Sequence, residues 1–296
     1  MTNPLISILI NCYNSEKFIF EAIQSAINQT YENIEIIIWD NASTDNTSNI
    51  IKKFNSSKIK YYKNNIHTTL GIARIKACSF LNGEYVAILD SDDIAYKTRI
   101  ADQYEFFIKN PDISLIGGWV NIINSKSKVI SNFIPHFNNL SLDDTVLWTN
   151  PLTHSSIMYK KKIAKQIGWY SDKFINFQDY ALTLKFKSVG RIGILKKIVS
   201  ARRIHENNSI NKKETFVKQI YEYELLLRYA RRLVKNKNKL ILLLNKNSIL
   251  QNKLKLLLFQ FYNNKKFINL IILIKFLLNN FIKLFFYTIL KKFYYK

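Results

Sequence analysis

Three carboxylates, Asp90, Asp92 and Asp93, directly follow the apolar run 85–89. Like charges this close repel one another and raise each other's pKa. A hard divalent cation shared by the carboxylates of the D-x-D sequence at 90–92 would remove this repulsion, and the same cation would bind diphosphate oxygens. The alternative is a turn in which solvent screens the charges. The cluster therefore predicts either a cation site or a solvated turn.

Polar residues also follow two earlier apolar runs, at 11–13 and at 40–41. Predicted strands alternate with predicted helices in this part of the chain, which is typical of βαβ units and of a mostly parallel, Rossmann-like sheet flanked by helices. Ligands bind beyond the carboxyl ends of the strands in such a sheet. The three polar strand ends are therefore expected to meet at one ligand-binding edge, and this favours the cation site.

Hydrophobic periodicity predicts the elements that position these residues. Ser15 is the expected N-cap of the first helix, and Gly83 is the residue expected to end the third. The strands are predicted at 5–14, 34–40, 58–65, 84–93, 113–124, 128–134 and from 191. The main helices are predicted at 15–28, 70–83, 97–109, 161–170 and 176–190, with a further helix that follows a turn-rich stretch after residue 40 and ends at about 54.

Charge is unevenly distributed along the 296 residues, whose formal net charge is +23. Segment 228–296 contains sixteen Lys and Arg and no Asp or Glu, so residues 1–227 contribute only +7. Two cysteines, Cys12 and Cys78, lie in apolar runs, which indicates a reducing compartment without a disulfide framework.

The cationic tail has a helical pattern from about residue 215, and 265–292 is apolar apart from one polar arc. Lys275 would lie near the middle of a membrane-spanning helix at a cost of about 2.5–3.5 kcal/mol, so a helix lying in the membrane interface is predicted instead. Basic segments are attracted to anionic leaflets. With no signal-peptide pattern at residues 1–4, the predicted location is cytoplasmic, peripheral on the inner face of the cell membrane.

Six motifs, in order, resemble those of the family 2 glycosyltransferases with the GT-A fold: ISILINCYN, WDNASTDNT, GIARIKACSFLNGEYVAILDSDD, KTRIADQYEFF, FQDYALTLKF and RIHENNS. The resemblance implies a GT-A domain at 1–212, with a nucleotide-sugar half at 1–95 and an acceptor-side half at 96–212. Residues 213–296, which the resemblance does not cover, are predicted from their pattern to form a helical, cationic, membrane-associating extension. The resemblance also implies an inverting enzyme that depends on Mn²⁺ or Mg²⁺. Such an enzyme would move a sugar from a UDP-sugar to a hydroxyl of a glycan or lipid-linked glycan, during assembly of a surface polysaccharide, a lipooligosaccharide or a glycoconjugate.

The resemblance further implies roles for single residues of the nucleotide-sugar half. Tyr13 would lie against uracil, Asp40 would accept its N3–H, and Arg74 would contact the nucleotide as a fixed cation. Asp90 would face the ribose or a metal-bound water, and Asp92 would ligate the metal at the diphosphate. Each position also has a structural interpretation, such as a helix N-terminal carboxylate for Asp40. Asn11 and Ser91 are assigned to the nucleotide-sugar, His205 to the metal, and Asp93 to support of the loop.

On the acceptor side, Asp179 matches the carboxylate that takes the proton of the attacking hydroxyl. General-base assistance is worth about 10²–10⁴ in rate, or about 3–5 kcal/mol. Gln178 stands where the family has Glu, which removes one negative charge beside the base. His154 and Trp169 are assigned to the acceptor side, and Asp172, Asp143 and Asp144 are the alternative bases.

Two other functions remain open from the sequence. A non-catalytic assembly partner with the same fold is compatible with the departures at Asn11 and Gln178. A nucleic-acid binder is suggested by the basic tail. However, the tail has no groove-reading motif and its apolar surface needs lipid or protein to cover it, so no nucleic-acid partner is expected.

Overall fold

The computed structural model describes residues 3–135, 141–147 and 149–206, together with 208, 222, 225 and 226. Of the extension at 213–296, which is predicted to bind membranes, the structure describes only residues 222, 225 and 226. No helix in the described part of the chain has the length and apolarity to cross a bilayer. In chain order the elements are β1 (Ile6–Cys12), α1 (Ile19–Ile27), β2 (Ile34–Asp40), α2 (Thr47–Lys52), β3 (Ile59–Lys63), α3 (Leu70–Cys78), β4 (Tyr85–Asp90), β5 (Ile94–Ala95), α4 (Arg99–Lys109), β6 (Ile113–Ile123), β7 (Val129–Phe133), α5 (Leu142–Thr145), a 3-10 helix (His154–Ser156), β8 (Met158–Lys160), α6 (Lys161–Gln166), α7 (Gln178–Val189) and β9 (Arg191–Arg203).

The strands of the described residues form one sheet in the order β3-β2-β1-β4-β8-β6-β9-β5, with β7 paired to β6. The first four are mutually parallel. Strand β8 runs antiparallel between β4 and β6, so β6 and β9 share the direction of the first four. The predicted α/β fold, a mostly parallel sheet flanked by helices, is confirmed. Strands β5 and β8 were not predicted because two or three residues are too few to show a periodicity.

The central strands are buried on both faces because they are largely apolar, and the polar side chains of Ser7 and Glu35 within them are paired with each other. Strand β2 is buried along its whole length, and β1 is buried at every position except Asn11. Helix α1 packs on the sheet through residues spaced three and four apart, which is the pattern of an amphipathic helix. The register pairs Cys12 with Asp40 and Asn11 with Asp90, so the polar ends of β1, β2 and β4 lie at one edge.

The helix predicted at 161–170 ends early, at Gln166. Two further predicted helix boundaries were wrong at residues that instead serve contacts between elements. Ser15 does not cap α1, which begins at Ile19; its hydroxyl lies 2.9 Å from Oγ of Ser91. Gly83 does not end α3, which stops at Cys78. A Cβ at Gly83 would lie 2.5 Å from the backbone nitrogen of Ser7, so this position needs glycine to let the chain pass close to β1.

A buried carboxylate at the opposite end of β2 ties this part of the sheet together. Glu35 accepts hydrogen bonds from Ser7 Oγ at 2.6 Å, from the Asn82 backbone N–H at 2.6 Å and from Lys60 Nζ at 2.8 Å. Burial alone would raise the pKa of Glu35, but these donors outweigh it and lower the pKa from 4.5 to about 2. The ionised side chain therefore stabilises the fold.

We expect Glu35→Gln to lower the free energy of unfolding at pH 7 by about 1–3 kcal/mol, because buried donors lose their charged acceptor. Since the folded pKa is depressed, the contribution of Glu35 is fully present above pH 4.5 and is lost as the pH falls towards 2. Urea unfolding of both proteins should show the difference shrinking at acid pH. The exposed Glu105→Gln serves as the control, and a pH-independent difference would contradict this account.

Candidate active site

Arg74 of α3 connects four elements at the carboxyl edge of the sheet, and it is only 7% exposed. Its guanidinium donates to Asp90 Oδ1 at 3.2 Å and to Gln178 Oε1 at 3.3 Å. It also lies 5.3 Å from the centre of the Tyr170 ring and 3.2 Å from His154 Nδ1. Because Gln178 is neutral, Asp90 faces the whole positive charge of Arg74 without competition from a second carboxylate.

His154, in the 3-10 helix, holds Asp90 from the other side. Its Nδ1 lies 2.9 Å from Asp90 Oδ1, and its Nε2 lies 2.9 Å from the Tyr170 hydroxyl. When Nδ1 of His154 carries a proton, it donates that proton to Asp90. Arg74 can only donate hydrogen bonds, so its approach to the protonated Nδ1 is a contact without a hydrogen bond. Burial raises the pKa of Asp90, but His154 and Arg74 more than offset this and hold it well below its usual range. Asp90 is therefore a fixed, ionised carboxylate.

The other end of the aspartate turn is held by Arg203, the last residue of β9. Its backbone N–H donates to Asp93 Oδ1 and its Nε donates to the Asp92 carbonyl, both at 2.8 Å. The guanidinium also pairs with Glu21 of α1 at 3.0 Å and lies 4.5 Å from the centre of the Phe18 ring. Asp93 is buried, in keeping with the loop-supporting role assigned to it. Arg203 was missed because the sequence around it predicts an exposed loop.

Asp92, the middle carboxylate of the turn, lies beside a second imidazole, that of His205. Its Oδ2 lies 3.0 Å from His205 Nε2 and 3.2 Å from Asn208 Nδ2. Burial, together with the charge of Asp90, raises the pKa of Asp92. The crowding of the three carboxylates is thus relieved unequally: Arg74 and His154 hold Asp90 ionised, whereas burial and the neighbouring carboxylates raise the pKa of both Asp92 and Asp93.

This donor set fits a divalent cation shared with a diphosphate. In the described part of the chain, no three His, Cys, Asp or Glu side chains converge on one point as an all-protein metal site. Mg²⁺ in nucleotide sites, however, usually takes only one or two carboxylates from the protein and the remaining oxygens from phosphate and water. The carboxylate of Asp92 beside the imidazole of His205 provides such a partial site, and both ligand types suit Mn²⁺.

An aromatic pair lies at the nucleotide end of the edge. Tyr13 is 44% exposed, and its ring centre lies 3.9 Å from that of His67. His67 Nδ1 lies 3.1 Å from the Asn41 carbonyl, and the Asn41 amide donates to the Thr68 carbonyl at 2.7 Å. The loop after β3 is therefore fixed to the end of β2. His67 was not predicted, because it belongs to no recognisable pattern in the sequence.

Asp40 is fully buried, and its carboxylate is held by neighbours. It accepts hydrogen bonds from the Ser43 backbone N–H at 2.7 Å, from the Tyr61 hydroxyl at 2.8 Å and from the Ser48 hydroxyl at 2.9 Å. Burial would raise the pKa of Asp40, but these bonds lower it. In this conformation Asp40 shapes the turn after β2. A contact with the base would require one of these bonds to be exchanged, and that contact stays a prediction.

Two assigned residues complete the nucleotide edge. Asn11 lies opposite Asp90 in the register of β1 and β4, and its buried Oδ1 accepts no hydrogen bond from the described residues. Ser91 lies within the aspartate turn, and its hydroxyl meets that of Ser15. The assigned nucleotide-sugar residues of β1, β4 and α3 are thus brought to one edge of the sheet.

On the acceptor side, the first turn of α7 carries Gln178 and Asp179. Gln178 is buried, whereas Asp179 is half-buried and its Oδ2 accepts from the Asn150 amide at 3.0 Å. Trp169, at φ +54°, follows Gly168 at φ +72° in a left-handed turn that precedes the buried Tyr170. Trp169 is half-buried in this turn. Among the alternative bases, Asp172 is exposed, Asp143 pairs with Lys187 at 3.0 Å, and Asp144 lies in the first turn of α5.

Known proteins that resemble this chain are glycosyltransferases. The profile described as glycosyl transferase family 2 matches residues 7–168. An uncharacterised glycosyltransferase of Methanocaldococcus jannaschii is 35% identical over 185 residues, which cover 61% of this chain and 63% of that protein. A UDP-Glc:α-D-GlcNAc-diphosphoundecaprenol β-1,3-glucosyltransferase of Escherichia coli is 33% identical over 186 residues, or 63% and 71% of the two chains. The crystal structure of S. aureus TarS residues 1–349 with UDP-GlcNAc superimposes with a TM-score of 0.66 at 20% identity, covering 79% and 69%.

The chain thus spans slightly less than two thirds of the archaeal relative. The structural likeness confirms the GT-A-like fold, a mixed sheet flanked by helices. The family profile covers more than half of the chain, including the ends of β1, β2 and β4 and the aspartate turn. The predicted family is confirmed: the chain belongs to glycosyl transferase family 2.

Proposed function

We propose that this protein transfers a sugar, with inversion at the anomeric carbon, from a UDP-sugar to a hydroxyl of a glycan or lipid-linked glycan. The observation that carries the proposal is the hydrogen-bonded chain from Asp90 through Arg74 to Gln178, the residue before Asp179. This chain connects the strand end expected to hold the nucleotide-sugar to the helix turn that carries the candidate base. Holding two reactants in a fixed geometry is a large part of catalysis.

Asp179 has the surroundings that a general base requires. The Asn150 amide orients its Oδ2, so that Oδ1 can accept the proton of an acceptor hydroxyl. As that oxygen forms its bond to C1 of the sugar, the bond between C1 and the diphosphate oxygen breaks, and UDP leaves with the electron pair. The proton ends on Asp179. Attack and departure occur on opposite faces of C1, and the configuration is therefore inverted.

The donor would be held at the edge described above. The exposed ring of Tyr13, backed by His67, offers a stacking surface for uracil. Asp92 and His205 would hold Mn²⁺ or Mg²⁺ between them. When bound, the cation would neutralise the charge that develops on the departing diphosphate. Asp90, held ionised by Arg74 and His154, remains available to hydroxyl groups of the donor.

Saturation-transfer NMR of the full chain with UDP-glucose, UDP-galactose and their N-acetyl forms, in the presence of diamagnetic Mg²⁺, tests donor binding and selects the sugar. We expect transfer to the uracil protons in each bound donor. Tyr13→Ala should weaken UDP binding by about tenfold, because stacking of a base on an aromatic side chain is worth about 1–3 kcal/mol. Phe20→Ala, at an exposed aromatic on α1, is the matched control. The absence of saturation transfer from every UDP-sugar would refute the proposal.

The acceptor proposed is a lipid-linked glycan of a surface polysaccharide, lipooligosaccharide or glycoconjugate pathway. The E. coli relative is named for transfer to a GlcNAc-diphosphoundecaprenol, a lipid-linked sugar. A membrane-borne acceptor also suits the cationic segment 228–296, whose sequence predicts binding to an anionic surface.

We therefore place the protein on the inner face of the cell membrane, held there peripherally by this segment. Sedimentation with anionic liposomes checks the placement. The full chain should sediment with the vesicles, and the chain without residues 228–296 should stay in the supernatant. Equal sedimentation of the two would exclude segment 228–296 as the membrane-binding element.

A further inference from the structure

Glu222 belongs to the extension that the sequence assigns to membrane binding, yet its side chain is buried, with 6% exposure. Its Oε1 accepts from the Ile175 backbone N–H at 3.0 Å, and its Oε2 accepts from the Asn176 backbone N–H at 2.8 Å. The Asn176 side-chain amide reaches the same Oε2 at 3.4 Å. Leu226, one helical turn further on, is also buried, whereas Leu225 is exposed. One face of this turn is therefore covered by the rest of the domain.

The two amides that Glu222 binds lie immediately before α7. The carbonyl of Ile175 accepts a hydrogen bond from Gln178 Nε2 at 3.0 Å, and Gln178 Oε1 in turn accepts from Arg74. Residue 175 thus faces the extension through its N–H and the candidate active site through its carbonyl. A continuous hydrogen-bonded path runs from Glu222 to the side chain beside Asp179.

Polar contacts hold the segment before α7 at Ile175 and Asn176. The side chain of Ile175 is 48% exposed. The start of the segment is held by close packing, since a Cβ on Gly71 of α3 would lie 2.8 Å from the Ser171 carbonyl oxygen. Its end depends on polar contacts. A carboxylate bonded to two consecutive N–H groups supplies two charge-assisted hydrogen bonds, which are stronger than neutral ones.

We propose that Glu222 is a positioning residue: by holding residues 175 and 176 it sets the place of Gln178 and of the base Asp179. The extension then completes the acceptor side of the active site in addition to any role at the membrane. This proposal rests on the proposed glycosyltransferase activity. A small misplacement of a catalytic group, even by a change remote from the chemistry, costs about 10²-fold in rate.

The test uses the full chain and compares Glu222→Ala with Leu225→Ala, a control at an exposed position of the same turn. In Glu222→Ala the amides of Ile175 and Asn176 should exchange with solvent at least about tenfold faster, because both lose their acceptor. The kcat of transfer should fall by about 10–100-fold. The KM for the UDP-sugar and the Kd for UDP should stay within about twofold of the unaltered protein, because Arg74 keeps its bond to Asp90 when Gln178 shifts. The control should match the unaltered protein in all four quantities.

Glu222→Gln keeps the test informative if Glu222→Ala does not fold, because the side-chain carbonyl of glutamine can still accept one of the two hydrogen bonds. We expect its exchange rates and kcat to lie between those of the unaltered protein and Glu222→Ala. Unchanged exchange at 175 and 176, unchanged kcat, or a loss of UDP affinity as large as the loss of kcat would each overturn the proposal. If the unaltered chain transfers no sugar at all, the proposed function falls, while the exchange rates still decide whether Glu222 holds this segment.

Discussion

Replacing Asp179 with Asn is expected to slow sugar transfer by about 10²–10⁴-fold, because the amide cannot take the proton of the attacking hydroxyl. The fold and UDP binding should be unaffected. Asp179 is half-buried in the first turn of α7, and an amide oxygen can still accept the hydrogen bond from Asn150. The measurement is the initial rate of transfer at saturating donor, together with the thermal midpoint and the Kd for UDP.

Asp172→Asn is the matched control, since Asp172 is an exposed carboxylate of the segment that leads to α7. Its transfer rate should stay within about twofold of that of the unaltered protein. Full activity in Asp179→Asn would discard the assignment of the base. Loss of activity in Asp172→Asn alone would move the role to that residue.

The second large effect is expected at Asp92, the carboxylate proposed to bind the metal. Asp92→Asn should lower the rate of transfer by about 10²–10³-fold, the usual size of losing one electrostatic partner of a developing charge. Binding of Mn²⁺, followed by the relaxation of water protons in the absence of substrate, should weaken in parallel. Stability should not fall: burial and the charge of Asp90 raise the pKa of Asp92, so its ionised form is unfavourable in the fold, and an amide can still accept from Asn208.

Asp112→Asn controls for the loss of one negative charge, because Asp112 lies in an exposed ion pair with Arg191. Its Mn²⁺ affinity and its rate should equal those of the unaltered protein. If Asp92→Asn kept its affinity for Mn²⁺, the metal would have to be held by other groups. If it lost rate and stability together, the effect would be one of folding.

Much of this architecture is encoded locally, and those parts were predictable. Strands β1, β2 and β4 are largely apolar runs that end in polar residues, so their type and the edge that they share follow from the sequence. The aspartates at 90–93 were recognisable for the same reason. The position of Asp179 in the first turn of a helix also followed from the sequence, once helical spacing had been recognised at 176–190.

The contacts that make these residues a site were not predictable, because they join segments that are distant in the sequence. Nothing around Arg203 indicates that it turns inward to meet Asp93, and nothing around Arg74 indicates that Gln178 will be its partner. In the sequence alone, Glu222 resembles any charged residue on the polar side of a predicted helix. Ser15 was misplaced because a serine before an apolar helix usually caps it, whereas here its hydroxyl meets that of Ser91.

The contacts of Arg203 with residues distant in the sequence affect the order in which the protein folds. This residue bonds to Asp93, 110 positions earlier, and to Glu21, 182 positions earlier. Contacts of such long range form slowly, because a long stretch of chain must be closed before the bond stabilises it. While the polypeptide is being synthesised, the βαβ units can fold early, but the aspartate turn has to wait for β9 to leave the ribosome. The nascent chain can thus form the parallel strands β1 to β4 before β9 completes both the sheet and the aspartate turn.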